Sequence, residues 1–249
     1  MSVFRFKKFD VVNGRSAMKV NTDGVILGAA MTILPSDKSM LDVGTGTGTI
    51  ALMAAQRFFD FAQDVPRTVK ADFRIDAVDI DEPSATEAAI NFEVSIWSEY
   101  LNIHNSSLQD FARDTSGIYD LIFSNPPYFE DSLTAPDERK SAARHTSDGL
   151  SYRDIFEFAK DRLSESGRVS LVLPADQENS LTRYARMCGL HLFRILRIRT
   201  VPRKTPARIV AEFAKTRCAE PVEELLTIQD EGKYTQEYLS LIRDFYLFA

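Results

Sequence analysis

A glycine-rich segment that follows a short apolar run is the feature that most constrains the fold. It consists of Leu-Asp-Val-Gly-Thr-Gly-Thr-Gly over residues 41–48, and a helix-forming stretch begins directly after it. Glycine is needed where a ligand approaches the backbone too closely for a Cβ atom. In a doubly wound sheet, the carboxyl end of such a strand borders the ligand crevice. The segment therefore predicts a strand, a turn that binds a nucleoside-like ligand, and a helix.

Strand-like and helix-like segments alternate along the rest of the chain. Strands are predicted at 39–43, 74–79, 105–108, 119–124, 168–174, 190–199 and 207–214, with helices between most of them and a last helix at 235–247. This alternation predicts an α/β fold with a doubly wound, mostly parallel seven-stranded sheet. Residues 1–36 are predicted to add a small N-terminal hairpin, with Asn13-Gly14 as its turn signal, and a helix that starts with Thr22 as a possible N-cap. Residues 37–249 would then form the main domain.

Two stretches interrupt the alternation of strands and helices. Residues 59–73 resemble an insertion between a helix and the next strand. Residues 125–150 are polar and proline-rich, and they predict a long loop. Loops of that length in a compact domain are usually functional or mobile.

Charge is distributed unevenly along the sequence. The formal net charge of −6 argues against indiscriminate binding of nucleic acid. Between Arg183 and Arg217, however, the chain has ten basic residues and a single acid, Glu212, and the segment that follows is acidic. The basic segment either contacts nucleic acid, or it and the acidic segment form solvated faces that partly neutralise each other.

Other features narrow the class of protein. No stretch approaches the roughly 18 apolar residues of a transmembrane helix, and the charged start MSVFRFKKFD has no apolar signal core. The two cysteines, Cys188 and Cys218, do not form a Cys-x-x-Cys pair. We therefore expect a cytoplasmic protein without a metal site.

The spacing of glycines and acids favours one cofactor over another. The pattern is G-x-G-x-G, whereas dinucleotide folds use G-x-G-x-x-G, and Asp42 lies four residues before Gly46. Both features favour S-adenosylmethionine over NAD. Asp79, at the end of the second strand, is placed to accept both ribose hydroxyls. Asp110 is predicted to accept a hydrogen bond from the adenine amine, with Phe111 against the ring.

The segment Ser-Asn-Pro-Pro-Tyr over residues 124–128 predicts the chemistry. Its two prolines, Pro126 and Pro127, fix φ and have no N–H group, so the turn is stiff. The side-chain oxygen of Asn125 and a nearby carbonyl can accept both hydrogens of an –NH₂ group, and Tyr128 can stack on a flat acceptor. These four residues are the predicted catalytic group. They suit methyl transfer to an adenine amine, in which positioning is the main catalytic effect.

Several motifs together resemble a known family. LDVGTGTG, AVDID and SNPPYF, in this order, resemble the amino-methyltransferases with an Asn-Pro-Pro-Tyr motif. FKKFDVVNGRSAMKVNTDGVILGAA, PPYFEDSL, ARHTSDGLSY and TPARIVAEF resemble the bacterial tRNA (adenine-N6)-methyltransferases that modify adenosine 37 of valine tRNA. The likeness covers nearly the whole chain, and KVNTDGVILGA is its most specific part. The insertion at 59–73 is the main departure from the family.

The resemblance implies a Rossmann-like class I methyltransferase fold and S-adenosylmethionine as cofactor. It adds cofactor roles for Thr22, which a helix N-terminus would place near the methionine carboxylate, and for Asp23. With the residues above, the predicted cofactor-binding set is Thr22, Asp23, Asp42, Gly44, Gly46, Gly48, Asp79, Asp110, Phe111 and Asn125.

The substrate is less strongly indicated than the reaction. An adenine in an anticodon loop already lies outside a duplex, so its extrusion costs little. Two groups of cations are predicted to grip the tRNA backbone, namely Arg139, Lys140 and Arg144, and Arg203, Lys204 and Arg208. Three alternatives stay open: N5-methylation of a protein glutamine, N6-adenine methylation of another RNA or DNA, and a module that binds without transferring methyl.

Overall fold

A computed structural model describes residues 2–16, 18–62, 73–127 and 149–249. The helices are α1 (Thr22–Ala30), α2 (Thr49–Ala62), α3 (Glu82–Glu93), α4 (Leu108–Asp114), α5 (Tyr152–Arg162), α6 (Glu178–Met187) and α7 (Gln236–Ile242). The strands are β1 (Val3–Arg5), β2 (Asp10–Val12), β3 (Ser39–Val43), β4 (Arg74–Asp79), β5 (Leu101–Asn105), β6 (Tyr119–Ser124), β7 (Leu163–Pro174), β8 (His191–Arg199), β9 (Arg208–Ala214), β10 (Val222–Thr227), β11 (Gln229–Asp230) and β12 (Lys233–Tyr234).

The main sheet confirms the predicted doubly wound α/β fold. Its described strands lie in the order β10-β8-β9-β7-β6-β3-β4-β5, and only the pairs of β9 with β7 and β8 are antiparallel. Apolar side chains of α1, α2, α3 and α7 form one core cluster, and those of α4, α5 and α6 form another. The two clusters correspond to helix layers on the two faces of the sheet. Within the described ranges, every helix is too short or too polar to cross a membrane.

The sheet has eight strands in the described residues, where the sequence predicted seven. The additional strand, β10, lies at the edge and pairs in parallel with β8. Four of its six residues, including Glu223 and Glu224, are exposed. Glutamate is depleted in strands, and an exposed edge strand lacks the apolar alternation that would reveal it.

The strand predicted at 105–108 lies earlier, at β5. Ser107 accepts a hydrogen bond from the backbone N–H of Asp110 at 3.0 Å and thereby caps α4. Because an N-cap residue begins a helix, 107 and 108 cannot extend the strand.

The N-terminal hairpin is present, but its turn is not at Asn13-Gly14. Strands β1 and β2 pair antiparallel, and the Phe6 N–H donates to the Phe9 carbonyl at 2.9 Å. The rings of these two residues stack with centroids 4.6 Å apart inside the core, which places the turn between them. Asn13-Gly14 follows the hairpin.

Polar contacts at the C-terminal end of helix α1 connect it to helix α2 and to the main sheet. Arg57 of α2 donates to the carbonyls of Gly28 and Met31 at 3.0 and 2.8 Å. The buried carboxylate of Glu212 accepts from the Thr32 backbone N–H at 2.8 Å. These contacts describe how residues 1–36 pack on the sheet, and the domain boundary at residue 36 stays a prediction.

Candidate active site

A cavity of about 550 Å³ opens at the carboxyl ends of β3, β4 and β6. Pockets for small molecules typically enclose roughly 300–1,000 Å³. The chain proceeds from β3 to β4 and β5 on one side and then crosses to β6 on the other. The cavity therefore lies at the topological switch point, where open α/β sheets bind ligands.

The glycine turn forms the floor of this cavity. Gly44, Gly46 and Gly48 have φ angles of +67°, +57° and +79°, a region that side chains with a Cβ rarely adopt. Gly44 and Gly46 line the cavity, whereas a Cβ on Gly48 would lie 2.4 Å from the ring of Phe92. Gly48 is therefore required for packing against α3.

Asp79 lines the cavity and organises the glycine turn. Its carboxylate accepts from the backbone N–H groups of Gly46 at 2.7 Å and Asp81 at 2.9 Å. Burial raises the pKa of Asp79, and these two hydrogen bonds oppose that shift. The carboxylate lies at the end of β4, the position at which the sequence predicted an acceptor for the ribose hydroxyls.

Asp42 lies beneath the turn and does not line the cavity. It is fully buried and accepts from the Thr45 hydroxyl at 2.7 Å and the Ala51 N–H at 3.2 Å. Burial raises its pKa to about 7. The position supports bracing of the turn rather than direct contact with a cofactor.

The start of α1 reaches the cavity through residues other than those predicted. Asn21 is the N-cap, because its side chain accepts from the Gly24 N–H at 2.8 Å, and both residues line the cavity. Thr22 and Asp23 do not line it. The carboxylate of Asp23 instead accepts from Arg208 Nε at 2.8 Å.

Asp110 and Phe111 lie on different sides of α4. Asp110 lines the cavity, receives a hydrogen bond from the Ser107 hydroxyl at 2.6 Å and pairs with Arg113. Phe111 is buried, with its ring centroid 4.8 Å from that of His104. Phe111 does not line the cavity, because its side chain packs into the core cluster beneath α4. Apolar lining comes from Ile80, which is 71% exposed, and Leu108, and neither residue was singled out from the sequence.

The turn after β6 places Asn125 beside the glycine turn. The Ser124 hydroxyl donates to the Val43 carbonyl at 2.6 Å and so joins the ends of β6 and β3. Asn125 and Pro127 line the cavity, and Pro126 is buried behind them. Tyr128, like the predicted RNA-binding residues Arg139, Lys140 and Arg144, lies outside the described residues, and its role stays a prediction.

One wall of the cavity was missed by the sequence reasoning. The segment that joins the hairpin to α1, residues 12–16 and 18–21, is called here the N-terminal strap. Its lining residues are Ser16, Met18, Lys19, Val20 and Asn21. The side-chain N–H of Asn125 reaches Met18 Sδ at 3.6 Å. The strap has no chemical motif of its own, but it lies within the stretch FKKFDVVNGRSAMKVNTDGVILGAA that resembles the family. That likeness was the signal in the sequence that could have drawn attention to it.

Most arginines of β8 and β9 are paired with acids. Arg194 contacts Glu212 and Glu224 at 2.6 Å each, and Arg197 contacts Glu178 at 2.7 Å. Arg208 pairs with Asp23. Of the three predicted RNA contacts in this segment, Arg203 and Lys204 have no acidic partner among the residues that the structure describes. These two are exposed in the turn after β8. Strand β8 runs parallel to β7 and β6. The turn after β8 therefore lies at the carboxyl ends of these strands, as the cavity does.

Solved structures with a similar fold are methyltransferases. A predicted O-methyltransferase from Agrobacterium tumefaciens aligns with a TM-score of 0.63 and 14% identity, over 88% of this chain and 95% of that one. A methyltransferase from Pyrococcus furiosus aligns with a TM-score of 0.57 and 19% identity, over 83% and 89%. At such identities the likeness concerns the fold alone. No family model matches the chain. The sheet and its cleft define a Rossmann-like fold that these methyltransferases share.

Curated relatives narrow the class further. Proteins named tRNA1(Val) (adenine(37)-N6)-methyltransferase from Parabacteroides distasonis and Trichodesmium erythraeum are each 39% identical, over 98% of this chain and 97% of theirs. One from Haemophilus influenzae is 35% identical over 99% of both chains. The chain belongs to the tRNA1(Val) (adenine(37)-N6)-methyltransferase family.

Proposed function

We propose that this protein transfers a methyl group from S-adenosylmethionine to the N6 amine of an adenine in tRNA, namely adenosine 37 of valine tRNA. The observation that carries the proposal is that Asn125, on its proline-backed turn, shares one cavity with Gly44 and Gly46. The names of the relatives agree with this reaction.

The residues that line the cavity fit S-adenosylmethionine. The Asp79 carboxylate suits the ribose hydroxyls, and the backbone at Gly46 leaves room for close approach. Ile80 and Leu108 offer apolar surface to the adenine ring. When bound, the cofactor supplies a methyl group on a sulfonium that is already activated for transfer.

The chain's own contribution is to hold the acceptor amine. The side-chain oxygen of Asn125 accepts one amine hydrogen, which draws the nitrogen lone pair out of conjugation with the ring. Buried acceptors aimed at the nitrogen stabilise the charge that it gains. No histidine lines the described part of the cavity, and none is required, because the amine needs no strong base before attack.

Recognition of tRNA is assigned to the exposed turn after β8 and to the segment that follows the catalytic turn. Arg203 and Lys204 lie on the same side of the molecule as the cavity, at the carboxyl end of β8, and would contact backbone phosphates. Arg139, Lys140 and Arg144 are kept as predicted contacts. Arg208 is assigned a weaker role, because it pairs with Asp23. A tRNA substrate also implies a cytoplasmic location.

The test is incubation of the protein with methyl-labelled S-adenosylmethionine and either total tRNA or a ribosomal protein fraction. We expect label in tRNA, located by nucleoside mapping as N6-methyladenosine at position 37 of valine tRNA. The matched control is the same tRNA transcribed with guanosine at position 37, which has no N6 amine and should stay unlabelled. Label in protein alone would replace the proposal with glutamine methylation.

A further inference from the structure

One face of α3 contacts both walls of the cofactor cleft. Glu87 and Asn91 lie one turn apart on this face, at 1% exposure each. Phe92 of the same helix packs against Gly48 of the glycine turn. None of these residues lines the cavity. Glu87, Asn91 and Phe92 therefore act on the cleft through the segments that they hold, whereas Ser84 of the same helix lines the cavity itself.

Glu87 binds the N-terminal strap through three consecutive backbone N–H groups. Gly14 and Arg15 donate to Oε1 at 2.7 Å each, and Ser16 donates to Oε2 at 2.9 Å. Hydrogen bonds to an ionised acceptor are roughly twice as strong as neutral ones. A glutamine at this position would offer only one acceptor oxygen and would present a donor to the Ser16 N–H.

Asn91 connects the strap to the glycine turn. Its side chain accepts from the Val12 N–H at 2.8 Å and donates to the Val12 carbonyl at 3.0 Å and to the Thr47 carbonyl at 2.8 Å. Ser84, also on α3, lies 2.8 Å from the Ser16 hydroxyl. The strap and the glycine turn are thus held in a fixed relation by one helix.

The strap in turn contacts the catalytic amide. Met18 lies two residues beyond Ser16, and its sulfur accepts from Asn125 Nδ2 at 3.6 Å. This contact directs the amide oxygen of Asn125 away from Met18. A shift of the strap would therefore change the cofactor wall and remove one of the contacts that orient the amide.

We propose that Glu87 and Asn91 are positioning residues of the methyl transfer, which act through the N-terminal strap on cofactor retention and on the orientation of the Asn125 amide. The part of this inference that concerns the orientation of the Asn125 amide rests on the proposed function. The part that concerns retention of the cofactor does not depend on the identity of the methyl acceptor.

The experiment compares Glu87→Gln with Glu93→Gln, an exposed glutamate on the same helix. Affinity for S-adenosylhomocysteine is measured by calorimetry, and kcat and KM are measured with valine tRNA. For Glu87→Gln we expect roughly tenfold weaker binding of S-adenosylhomocysteine and a lower kcat at saturating cofactor. Glu93→Gln should match the wild type in both. A purely structural role would lower Tm and leave the affinity and kcat of the folded enzyme unchanged, and that result would overturn the proposal.

A second measurement covers the case in which Glu87→Gln fails to fold. Amide hydrogen exchange on the wild-type protein reports directly on residues 14–16. We expect these amides to be protected without ligand and further protected by S-adenosylhomocysteine. Exchange as fast as that of exposed amides in both states would refute the strap's attachment. If the wild type binds S-adenosylhomocysteine but methylates no tRNA, the proposed function fails while these binding measurements still decide the role of Glu87.

Discussion

The cofactor cleft and the basic segment 183–217 use their charges in opposite ways. In the cleft, the Asp79 carboxylate faces the cavity, and the backbone N–H groups of Gly46 and Asp81 hold it in place. In the basic segment, Arg194 and Arg197 are each bound to two acids from other elements. The cleft presents the Asp79 carboxylate to a ligand. In the basic segment, four of the ten cations pair with acids of the described ranges, namely Arg194, Arg197, Arg208 and Lys215.

The difference shows how far formal charge along a sequence departs from charge that is available for binding. Strand β10 supplies Glu223 and Glu224 to the arginines of β8, which lies beside it. The charge pattern left two interpretations open, contact with nucleic acid and neutralisation by the acidic segment. The structure has residues that fit each of them. Pairing with acids accounts for Arg194, Arg197 and Arg208, whereas Arg199 donates to the Thr227 hydroxyl. Nucleic-acid contact is assigned to the turn with Arg203 and Lys204.

The largest effect is expected in the cleft, from Asn125→Ala. Loss of the acceptor should lower kcat by roughly 10²–10³-fold, as removal of one preorganised hydrogen-bonding group does in other enzymes. Affinity for S-adenosylhomocysteine should change little, because Asn125 is assigned to the amine. Single-turnover assays and calorimetry measure the two quantities. Asn179→Ala, an exposed change on α6, is the control. Wild-type turnover in Asn125→Ala would show that the Asn125 side chain does not take part in methyl transfer.

A second prediction contrasts the buried acids of the two regions. Glu212 is buried with Arg194 beside it, whereas Asp42 is buried with only a hydroxyl and an N–H as recorded partners. Burial raises the pKa of Asp42 from its ordinary value of 3.8 to about 7. The folded state then binds more protons than the unfolded state between these values. Asp42 should therefore make the free energy of unfolding fall as pH rises from about 4 to about 7.

Asp42→Asn should remove that part of the pH dependence. The difference in slope from the wild type should approach roughly 1.4 kcal/mol per pH unit within this window. Urea unfolding at pH 5, 6, 7 and 8 measures it. Equal slopes in the two proteins would show that Asp42 is ionised in the fold throughout, as a paired acid would be.

A third prediction tests the exposed part of the basic segment. The double variant Arg203→Glu and Lys204→Glu should weaken tRNA binding on the order of tenfold and make the salt dependence of binding less steep. The control is Lys160→Glu with Lys233→Glu, two exposed lysines outside the basic segment, which changes the net charge by the same amount. Binding isotherms at several salt concentrations compare them. Equal behaviour of the two double variants would remove the assigned tRNA contact.

The smallest effect is expected from Arg197→Gln on β8. Its pairs with Glu178 and Glu223 are partly exposed, with 28% of the arginine side chain accessible, and such pairs contribute less than about 1 kcal/mol. Thermal unfolding should shift slightly, and the salt dependence of tRNA binding should match that of the wild type. A flattened salt dependence would place Arg197 among the residues that contact RNA.

Local sequence patterns were sufficient to predict the strand that ends in the glycine turn and the stiff turn at Asn125. They also contained the alternation that builds a doubly wound sheet. Each of these depends on properties of a few adjacent residues, such as positive φ at Gly44 or the fixed φ of proline. The acid at the end of β4 was equally local, since Asp79 follows directly from its position on the strand.

The tertiary structure alone decided which side chains meet. Asp23 pairs with Arg208, 185 positions away, and Glu87 binds backbone that lies more than 70 positions earlier. The inward direction of Phe111 and the edge strand β10 were also fixed only by packing. Ion pairs and burial depend on strand register and on how helices pack against the sheet. These are properties of the whole chain, and no local pattern of residues contains them.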